Sequence, residues 1–454
     1  MTAAPRFDHS ASRVEGRSSP VLPVDRAALA DDLRQRVFPA AVSRDVAPRI
    51  GAEVEIIPAY SATGRPLPLE GQDASTLAIL RVAGAAAGWR ERRSSKANVP
   101  EIEMPDGGRI TFEPGGQIEI SSAPDPSLSA LVGRLRATVR AIAEAAPDGV
   151  ELLSRGIDPR TRVEDVAPQL DADRYRRMLR HFDRIGPSGA RMMRQTASFQ
   201  VCVDGGDAPE LTWTVLNALA PFMVAMFANS PRYAGRDTGH KSYRRHIWAT
   251  LDPRRTGLLG VASDPVAEYL DFALDAPAFL LPDVNGTAAP FSYWLARGEA
   301  TASDWCTHLS TLFPEVRPRG YFEVRSADVV APEWYAVPLV VVAGLVYHRP
   351  SLDAAADLLG APDAALLDRS GRHGLSDAVL GGKAPRLCDL ALDGCVALGT
   401  EFVSAADLDT AAEYFERYTR RGLAPADDCH SEPGALRAHE ESLASRSRGR
   451  SRQS

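Results

Sequence analysis

Residues 50–58 (IGAEVEIIP) and residues 109–124 (RITFEPGGQIEISSAP) carry the strongest structural signal in the sequence. Polar and apolar residues alternate in both stretches, and a period of two is typical of β-strands. In the first stretch, Glu53 and Glu55 share one face of the strand, while Val54 points to the other. This alternation predicts a sheet with one apolar face against a core and carboxylates on the opposite face.

The second stretch predicts two strands joined by a tight turn at residues 114–116 (PGG), where the backbone can approach a ligand closely. Glu113 precedes the turn, and Glu119 follows it on the same strand face as Gln117. An ordinary hairpin with outward polar residues would show the same pattern. Both interpretations stay open on spacing alone.

Carboxylates two residues apart on a strand repel each other, so they suit either a solvated face or a site where cations lie between them. Mg²⁺ prefers carboxylate oxygens and keeps water and phosphate as further ligands. A third predicted strand, residues 321–325 (YFEVR), places Glu323 and Arg325 on one face, as an ion pair or as ligands of a charged group. The chemistry this indicates is Mg²⁺ ions that hold a nucleotide polyphosphate.

Segments with apolar residues three and four apart predict helices that mix with the strands without a regular βαβ order. This arrangement favours an α+β fold with a mainly antiparallel sheet. The predicted helical segments are residues 25–38, 127–145, 173–182, 208–229, 265–274, 301–312, 334–347 and 408–420.

The composition is that of a soluble globular protein, with 454 residues, 44% hydrophobic residues and a net charge of −7. No apolar stretch reaches the ~18–20 residues that span a bilayer. Residues 1–20 lack the apolar core of a signal peptide. The five scattered cysteines indicate a reducing compartment. We therefore expect a cytoplasmic protein with neither a membrane nor a nucleic-acid partner.

Residues 25–425 show no long linker, so we expect one continuous domain, preceded by a disordered arm at residues 1–24. Residues 426–454 predict a C-terminal helix and a disordered Ser/Arg tail. The tail could bind nucleic acid or lipid, or be a solvated end.

Several common catalytic and nucleotide-binding motifs are missing from the sequence. We find no GxGxxG after a strand, no GxSxG, no HExxH and no CxxC pair. Residues 235–242 (GRDTGHKS) contain letters of a phosphate loop, but His240 separates Gly239 from Lys241 and the glycine spacing is wrong. Dinucleotide enzymes, Ser hydrolases and zinc enzymes thus have no local support.

Five segments, in this order, resemble the glutamate–cysteine ligase family in its plant and bacterial type, over roughly residues 50–350. The runs FQVCVD, FANSP and LDPRRTG also resemble bacterial ligases of ergothioneine synthesis, whereas RRHIW resembles plant-type glutathione enzymes, so the pathway stays open. The five segments are IGAEVEIIP, TFEPGGQIEISSAP, DRYRRMLRHFDRIGPSGARMMRQTASFQVCVD, FANSPRYAGRDTGHKSYRRHIWATLDPRRTG and LFPEVRPRGYFEVRSAD.

The resemblance implies a glutamine-synthetase-like fold, in which a curved antiparallel sheet forms a funnel surrounded by helices. It also implies ATP- and Mg²⁺-dependent joining of L-glutamate to L-cysteine through γ-glutamyl phosphate. The implied roles are metal ligation by Glu53, Glu55, Glu113, Glu119 and Glu323, substrate binding by Arg174, Ser198, Gln200, Arg244 and Trp248, nucleotide binding by Arg325 and Arg255, and catalysis by Arg325 and Arg244.

Two departures from the family pattern lie in these segments, because Cys202 stands where many plant-type relatives have Asn and Arg245 where a small Ser is common. Trp248 fits either a pocket wall or buried packing, and Arg255 either a phosphate contact or a structural turn. The alternatives to the ligase are an enzyme with another amine acceptor and an inactive nucleotide-binding relative. We expect a monomer or a homodimer.

Overall fold

The computed structural model describes residues 24–43, 46–71, 74–94 and 99–428. The predicted arm, apart from Val24, and the tail from residue 429 lie outside the described residues. The last described helix, Pro425–Asp428, lies at the start of the predicted C-terminal region. Among the described residues, no helix is both long and apolar enough to cross a membrane. The four described cysteines are free thiols.

Within the described residues, thirteen strands form one large sheet and two small pairs. They are β1 (Ile50–Tyr60), β2 (Arg90–Arg93), β3 (Pro100–Glu103), β4 (Arg109–Phe112), β5 (Ile118–Ser121), β6 (Val150–Leu153), β7 (Ser198–Val203), β8 (Arg232–Tyr233), β9 (Arg236–Asp237), β10 (Thr256–Gly257), β11 (Phe313–Pro314), β12 (Val316–Pro318) and β13 (Phe322–Asp328).

The large sheet has nine strands in the order β12-β13-β7-β1-β5-β4-β3-β2, with β6 also paired to β1. Every pair in it is antiparallel. Together with the surrounding helices, this confirms the α+β fold with a mainly antiparallel sheet.

The register of β1 shows how the sheet separates polar from apolar residues. Glu53 lies opposite Gln200 on β7 and Ser121 on β5, and Glu55 lies opposite Glu119. Val54, between them in sequence, is buried on the other face. The carboxylate face predicted from the alternation therefore spans three neighbouring strands.

The part of the chain that the structure describes also contains sixteen α-helices. They are α1 (Arg26–Asp32), α2 (Thr76–Ala87), α3 (Leu128–Ala145), α4 (Asp173–Asp183), α5 (Ser188–Gln195), α6 (Pro209–Met226), α7 (Tyr243–Ala249), α8 (Pro265–Asp275), α9 (Phe291–Ala296), α10 (Ala302–Leu309), α11 (Ala336–Val346), α12 (Arg349–Leu359), α13 (Ala364–His373), α14 (Ala378–Leu398), α15 (Ala405–Arg417) and α16 (Pro425–Asp428).

The apolar helix α11 lies at the centre of the core, and all eleven of its residues are buried. A Cβ added at Gly344 would lie 2.0 Å from the carbonyl oxygen of Ala391 on α14, and one at Gly394 would lie 1.9 Å from that of Gly344. The two helix backbones therefore touch directly, which only glycine permits. This contact joins the C-terminal helices to the layer behind the sheet.

The Pro-Gly-Gly turn between β4 and β5 is tight because of packing. A Cβ at Gly115 would lie 2.0 Å from the carbonyl oxygen of Arg194, and Gly116 has a φ of +90° against the side chain of Gln169. The turn thus brings the backbone close to the end of α5. Its effect on the site is to fix Glu113 and Glu119 relative to β7.

Candidate active site

Four glutamates converge on the polar face of the sheet. Glu53, Glu55 and Glu119 each offer a carboxylate oxygen, and the three oxygens lie within 4.8 Å of one another. Glu113, at the start of the Pro-Gly-Gly turn, is close enough to raise the pKa of Glu119 through its charge. We call these four residues the carboxylate group. The structure brings together four of the five glutamates that the resemblance marks as metal ligands.

Neighbouring donors hold the carboxylate group in place. The hydroxyl of Thr111 donates to Glu119 Oε1 at 2.6 Å, and the main-chain N–H of Ser198 donates to Glu55 Oε2 at 2.7 Å. Gln200 Nε2 donates to Glu53 Oε1 at 2.8 Å. Ser198 and Gln200 on β7 therefore contact the carboxylate group directly, and Ser198 does so through its backbone.

The carboxylate group is electrostatically crowded. Burial, followed by the charges of neighbouring carboxylates, raises the pKa of Glu53 to about 8 and the pKa values of Glu113 and Glu119 to about 7. Burial likewise raises the pKa of Glu55. A cation among the oxygens would remove this repulsion, and clustered carboxylate oxygens are the donors that Mg²⁺ prefers. The residues present therefore fit a Mg²⁺ site.

The raised pKa values predict how stability without Mg²⁺ depends on pH. The folded carboxylates keep their protons up to a higher pH than the unfolded chain, whose glutamates have the ordinary pKa of 4.5. Stability should therefore decrease as pH rises from about 5 through about 8. Mg²⁺ competes with these protons, so saturating Mg²⁺ should raise the melting temperature by a few degrees at pH 8.5 and by less at pH 6.

Differential scanning calorimetry at the two pH values, with and without Mg²⁺, measures this difference. The buffers contain no Ca²⁺. A Glu53→Gln variant serves as the control, because it should show a smaller Mg²⁺-dependent rise in melting temperature at pH 8.5. An equal Mg²⁺ shift at both pH values would contradict the crowded-carboxylate interpretation.

A second cluster lies next to the carboxylate group, where three arginines surround Glu323. Arg317 Nε donates to Glu323 Oε2 at 2.7 Å, Arg325 Nη1 to the same oxygen at 2.9 Å, and Arg319 Nη1 to Oε1 at 3.1 Å. Glu323 is fully buried, which alone would raise its pKa. The charges of Arg317, Arg325 and Arg319 outweigh burial and hold that pKa well below its ordinary value.

We call Glu323 and the three arginines around it, Arg317, Arg319 and Arg325, the arginine cluster. Glu323 is not among the glutamates whose oxygens converge, which are Glu53, Glu55 and Glu119. Both of its oxygens accept from guanidinium groups. A metal ion at Glu323 would have to displace those donors. The structure fits the ion-pair interpretation of this strand better than metal ligation.

Gln200 links the two clusters. Its amide nitrogen donates to Glu53, and its Oε1 accepts from Arg325 Nη1 at 2.8 Å. The Arg325 guanidinium also lies 5.6 Å from the ring centre of Trp248. Arg325 thus stands between the carboxylate group and Trp248, with its charge near both Glu53 and Glu55.

Arg244 and Arg174 lie at this site, and the Nη atoms of both donate to protein oxygens. Arg244 is buried and donates to the carbonyl oxygens of Arg325 at 2.9 Å and of Ser326 and Ala327 at 3.4 Å each. Arg174 donates to Ser310 Oγ at 2.7 Å and to its carbonyl oxygen at 2.8 Å. Both arginines support the backbone around the site.

Arg255 lies in the protein interior and is 0% exposed. Its Nε donates to Asp252 at 2.9 Å, Nη1 to the carbonyl oxygen of Thr311 at 2.8 Å, and Nη2 to that of Pro277 at 2.5 Å. The ring of Phe279 lies 4.6 Å from its guanidinium. All three nitrogens are engaged, so the structural-turn interpretation of Arg255 replaces the phosphate contact.

The sequence reasoning did not single out Arg317, Arg319 or Thr111. The signal for Arg317 was present, because in the run RPRGYFEVR a hairpin places Arg317 directly opposite Glu323. A small cleft of about 30 Å³ is lined by Glu53, Ser121, Cys202 and Tyr321. Cys202, the departure from the plant-type pattern, therefore lines space next to the carboxylate group.

Comparisons with known proteins identify the family of this chain. A family model described as glutamate-cysteine ligase family 2 (GCS2) matches residues 49–414. The chain is 34% identical over 365 residues to the glutamate–cysteine ligase EgtA of Mycobacterium tuberculosis, covering 74% of this chain and 81% of the relative. The chain therefore belongs to glutamate–cysteine ligase family 2, which confirms the resemblance.

Two further similarities extend the comparison. The chain is 35% identical over 271 residues to the chloroplastic glutamate–cysteine ligase of Brassica juncea, covering 55% of this chain and 52% of that protein. A crystal structure of the glutamate–cysteine ligase of Francisella tularensis in complex with AMP is similar at a TM-score of 0.48 and 14% identity, covering 86% of this chain and 84% of the other.

Proposed function

We propose that this protein is a glutamate–cysteine ligase that uses ATP and Mg²⁺ to join the γ-carboxylate of L-glutamate to the amine of L-cysteine. One observation carries the proposal. Glu53, Glu55 and Glu119 converge on a sheet face beside Arg325, in a chain that matches this ligase family over residues 49–414.

The reaction needs activation because a carboxylate is a poor electrophile. Transfer of the γ-phosphoryl group of ATP to the glutamate γ-carboxylate forms an acyl phosphate and releases ADP. The cysteine amine then attacks the acyl carbon, its proton leaves, and inorganic phosphate departs. The protein supplies charge stabilisation and alignment, and no covalent nucleophile is required.

The proposed roles follow the two clusters. Glu53, Glu55, Glu113 and Glu119 would hold Mg²⁺, which when bound neutralises phosphate oxygens. Arg325, whose charge lies near Glu53 and Glu55, would bind the transferred phosphoryl oxygens. Gln200 fixes the spacing between Glu53 and Arg325.

The remaining proposed roles are supporting ones. Glu323 would hold Arg317, Arg319 and Arg325 in place instead of binding metal. Arg244 would brace the backbone of β13, and Trp248 would form the wall behind Arg325.

The test is ADP release by the purified protein with ATP, Mg²⁺ and L-glutamate, with and without L-cysteine. We expect release to require both amino acids, and mass spectrometry to identify γ-glutamylcysteine. Release with glutamate and an equal rate for other amines would favour a ligase with a different acceptor. A folded protein that releases no ADP would favour the inactive nucleotide-binding relative.

The pathway, the cytoplasmic location and the choice between monomer and homodimer remain predictions. The ligases that the sequence resembles supply γ-glutamylcysteine to glutathione or to ergothioneine synthesis, so the proposed product would be common to both pathways. Light scattering of the purified protein measures the oligomeric state directly.

A further inference from the structure

Behind the arginine cluster, β13 ends in a buried aspartate that lies outside the substrate space. Asp328 is 1% exposed. Its Oδ2 accepts from the main-chain N–H of Asn229 at 2.8 Å and from the hydroxyl of Ser230 at 2.6 Å, and its Oδ1 accepts from the hydroxyl of Ser242 at 3.0 Å. Asp328 thus ties the end of β13 to two loop segments.

These partners fix the first turn of α7. Ser242 is the N-cap of this helix, and its Oγ accepts from the main-chain N–H of Arg245 at 3.2 Å. Ser230 Oγ accepts from the main-chain N–H of Arg244 at 3.1 Å. Asp328 therefore determines where α7 begins, because both capping hydroxyls donate to its carboxylate.

The same helix carries the side chains that back Arg325. Arg244 Nη1 lies 3.8 Å from Asp328 Oδ1, and the guanidinium donates to the carbonyl oxygen of Arg325 at 2.9 Å. Trp248, one turn further along α7, faces the Arg325 guanidinium. A chain of direct contacts therefore runs from Asp328 through α7 to Arg325.

Packing leaves Asp328 no room to move toward the neighbouring loop. A Cβ added at Gly156 would lie 2.3 Å from Asp328 Cγ, so the chain approaches this carboxylate as closely as glycine allows. The strand itself changes register between Val324 and Ala327, at the position of Arg325. An irregular strand has fewer ladder bonds to hold it, which increases its dependence on Arg244 and Asp328.

We propose that Asp328 is a positioning residue for the ligase reaction. By holding α7 against the irregular end of β13, it sets the position of Arg325 and Trp248 without touching substrate. This inference rests on the proposed function, because it assigns Arg325 to the reacting phosphoryl group.

The test is Asp328→Asn, which keeps the size of the side chain but removes the charge opposite Arg244. We expect kcat/KM for glutamate to fall by about 10- to 100-fold, because displacing a binding group by about 1 Å costs up to about 10²-fold. The Mg²⁺-dependent rise in melting temperature should largely persist, because the side-chain bonds from Gln200 to Glu53 and from Thr111 to Glu119 do not involve Asp328. A general loss of folding would reduce both kcat/KM and the Mg²⁺-dependent rise in melting temperature.

Asp407→Asn is the matched control. Asp407 is 6% exposed, pairs with Arg136 Nη1 at 3.3 Å and accepts from Ser404 Oγ at 3.0 Å, at the start of α15 and outside both clusters. Its variant should lose stability while kcat and KM stay within about twofold of wild type. Ser242→Ala, which removes one bond to Asp328 and leaves its charge, should lower kcat/KM in the same direction by a smaller factor.

The outcomes separate this inference from the proposed function. Kinetics of Asp328→Asn within about twofold of Asp407→Asn would overturn the positioning role, and so would loss of the Mg²⁺ shift together with activity. If Asp328→Asn does not fold, an unchanged kcat/KM in Ser242→Ala overturns it. Wild-type and Asp407→Asn proteins that both release no ADP would reject the proposed function itself, and the positioning role with it.

Discussion

Replacing Glu53 by glutamine should lower glutamate-dependent ADP release by about a thousandfold or more, while the protein stays folded. The amide keeps the shape of the side chain but supplies one neutral oxygen where Mg²⁺ needs a charged one. Gln200 Nε2, which donates to Glu53 Oε1 at 2.8 Å, can still donate to the amide oxygen. The loss should therefore fall on catalysis and leave the local hydrogen bond intact.

The stability of the Glu53→Gln protein without Mg²⁺ should not fall as its activity does. Burial and the charges of Glu119 and Glu323 raise the pKa of Glu53 to about 8, so its ionised form is unfavourable in the folded protein without metal. Removing that charge should leave the melting temperature without Mg²⁺ unchanged or higher at pH 8.5. Calorimetry and the ADP assay on the same preparation measure both effects.

Glu103→Gln is the control, because Glu103 on β3 is also a strand glutamate but pairs with Arg92 on β2, away from the carboxylate group. Its activity should stay within about twofold of wild type. Activity of Glu53→Gln within about tenfold of wild type would remove Glu53 from the proposed metal site.

The sequence predicted the carboxylate face well because that face depends on local rules. Alternation along β1 places Glu53 and Glu55 together, and the short turn after Glu113 makes β4 and β5 neighbours. Hairpin pairing then carries Glu119 to the same face. What alternation could not supply is the pairing of β1 with β7, which follows it in the chain by more than a hundred residues and brings Gln200 opposite Glu53.

The roles of the charged residues were harder to predict, since a sequence pattern does not show which partners the fold places around each side chain. Glu323 looks like the other strand glutamates until the hairpin and the loop before β13 surround it with arginines. Arg255 looks like a free turn arginine until Pro277 and Thr311 enclose its guanidinium. The alternation pattern is the same for a carboxylate with few cations nearby and for a carboxylate paired to arginine, so it does not distinguish them.

Helices were predictable where an apolar stripe stood out, as in α3. Helix α2 was not predicted, although Ser75 caps its start and Gly88 ends it in the left-handed conformation. Its run of small apolar residues lacks a clear polar face. The C-terminal helices were expected only in general terms, and their placement depends on the backbone contact between Gly344 and Gly394.

Replacing Arg325 by alanine should lower kcat/KM for ATP and glutamate by about 100-fold or more. The Arg325 guanidinium contacts Gln200 and lies beside the carboxylate group. In the proposed reaction, negative charge builds up there on the phosphate oxygens. Arg325→Lys should recover only part of the loss. Lysine keeps the charge but lacks the planar guanidinium, in which Nη1 donates to both Gln200 and Glu323 and the other donors stay available for phosphate oxygens.

Arg319→Ala separates this role from a general effect on Glu323. Arg319 also donates to Glu323, at 3.1 Å, and Arg317 and Arg325 remain to balance that carboxylate in its absence. We therefore expect Arg319→Ala to lose less than about tenfold in steady-state kcat/KM. Equal losses in the two alanine variants would mean that Arg325 acts only by neutralising Glu323, and its assignment to the transferred phosphoryl group would fail. A larger loss at Arg325, with Mg²⁺ still raising the melting temperature, places its contribution on the substrate side of the carboxylate group.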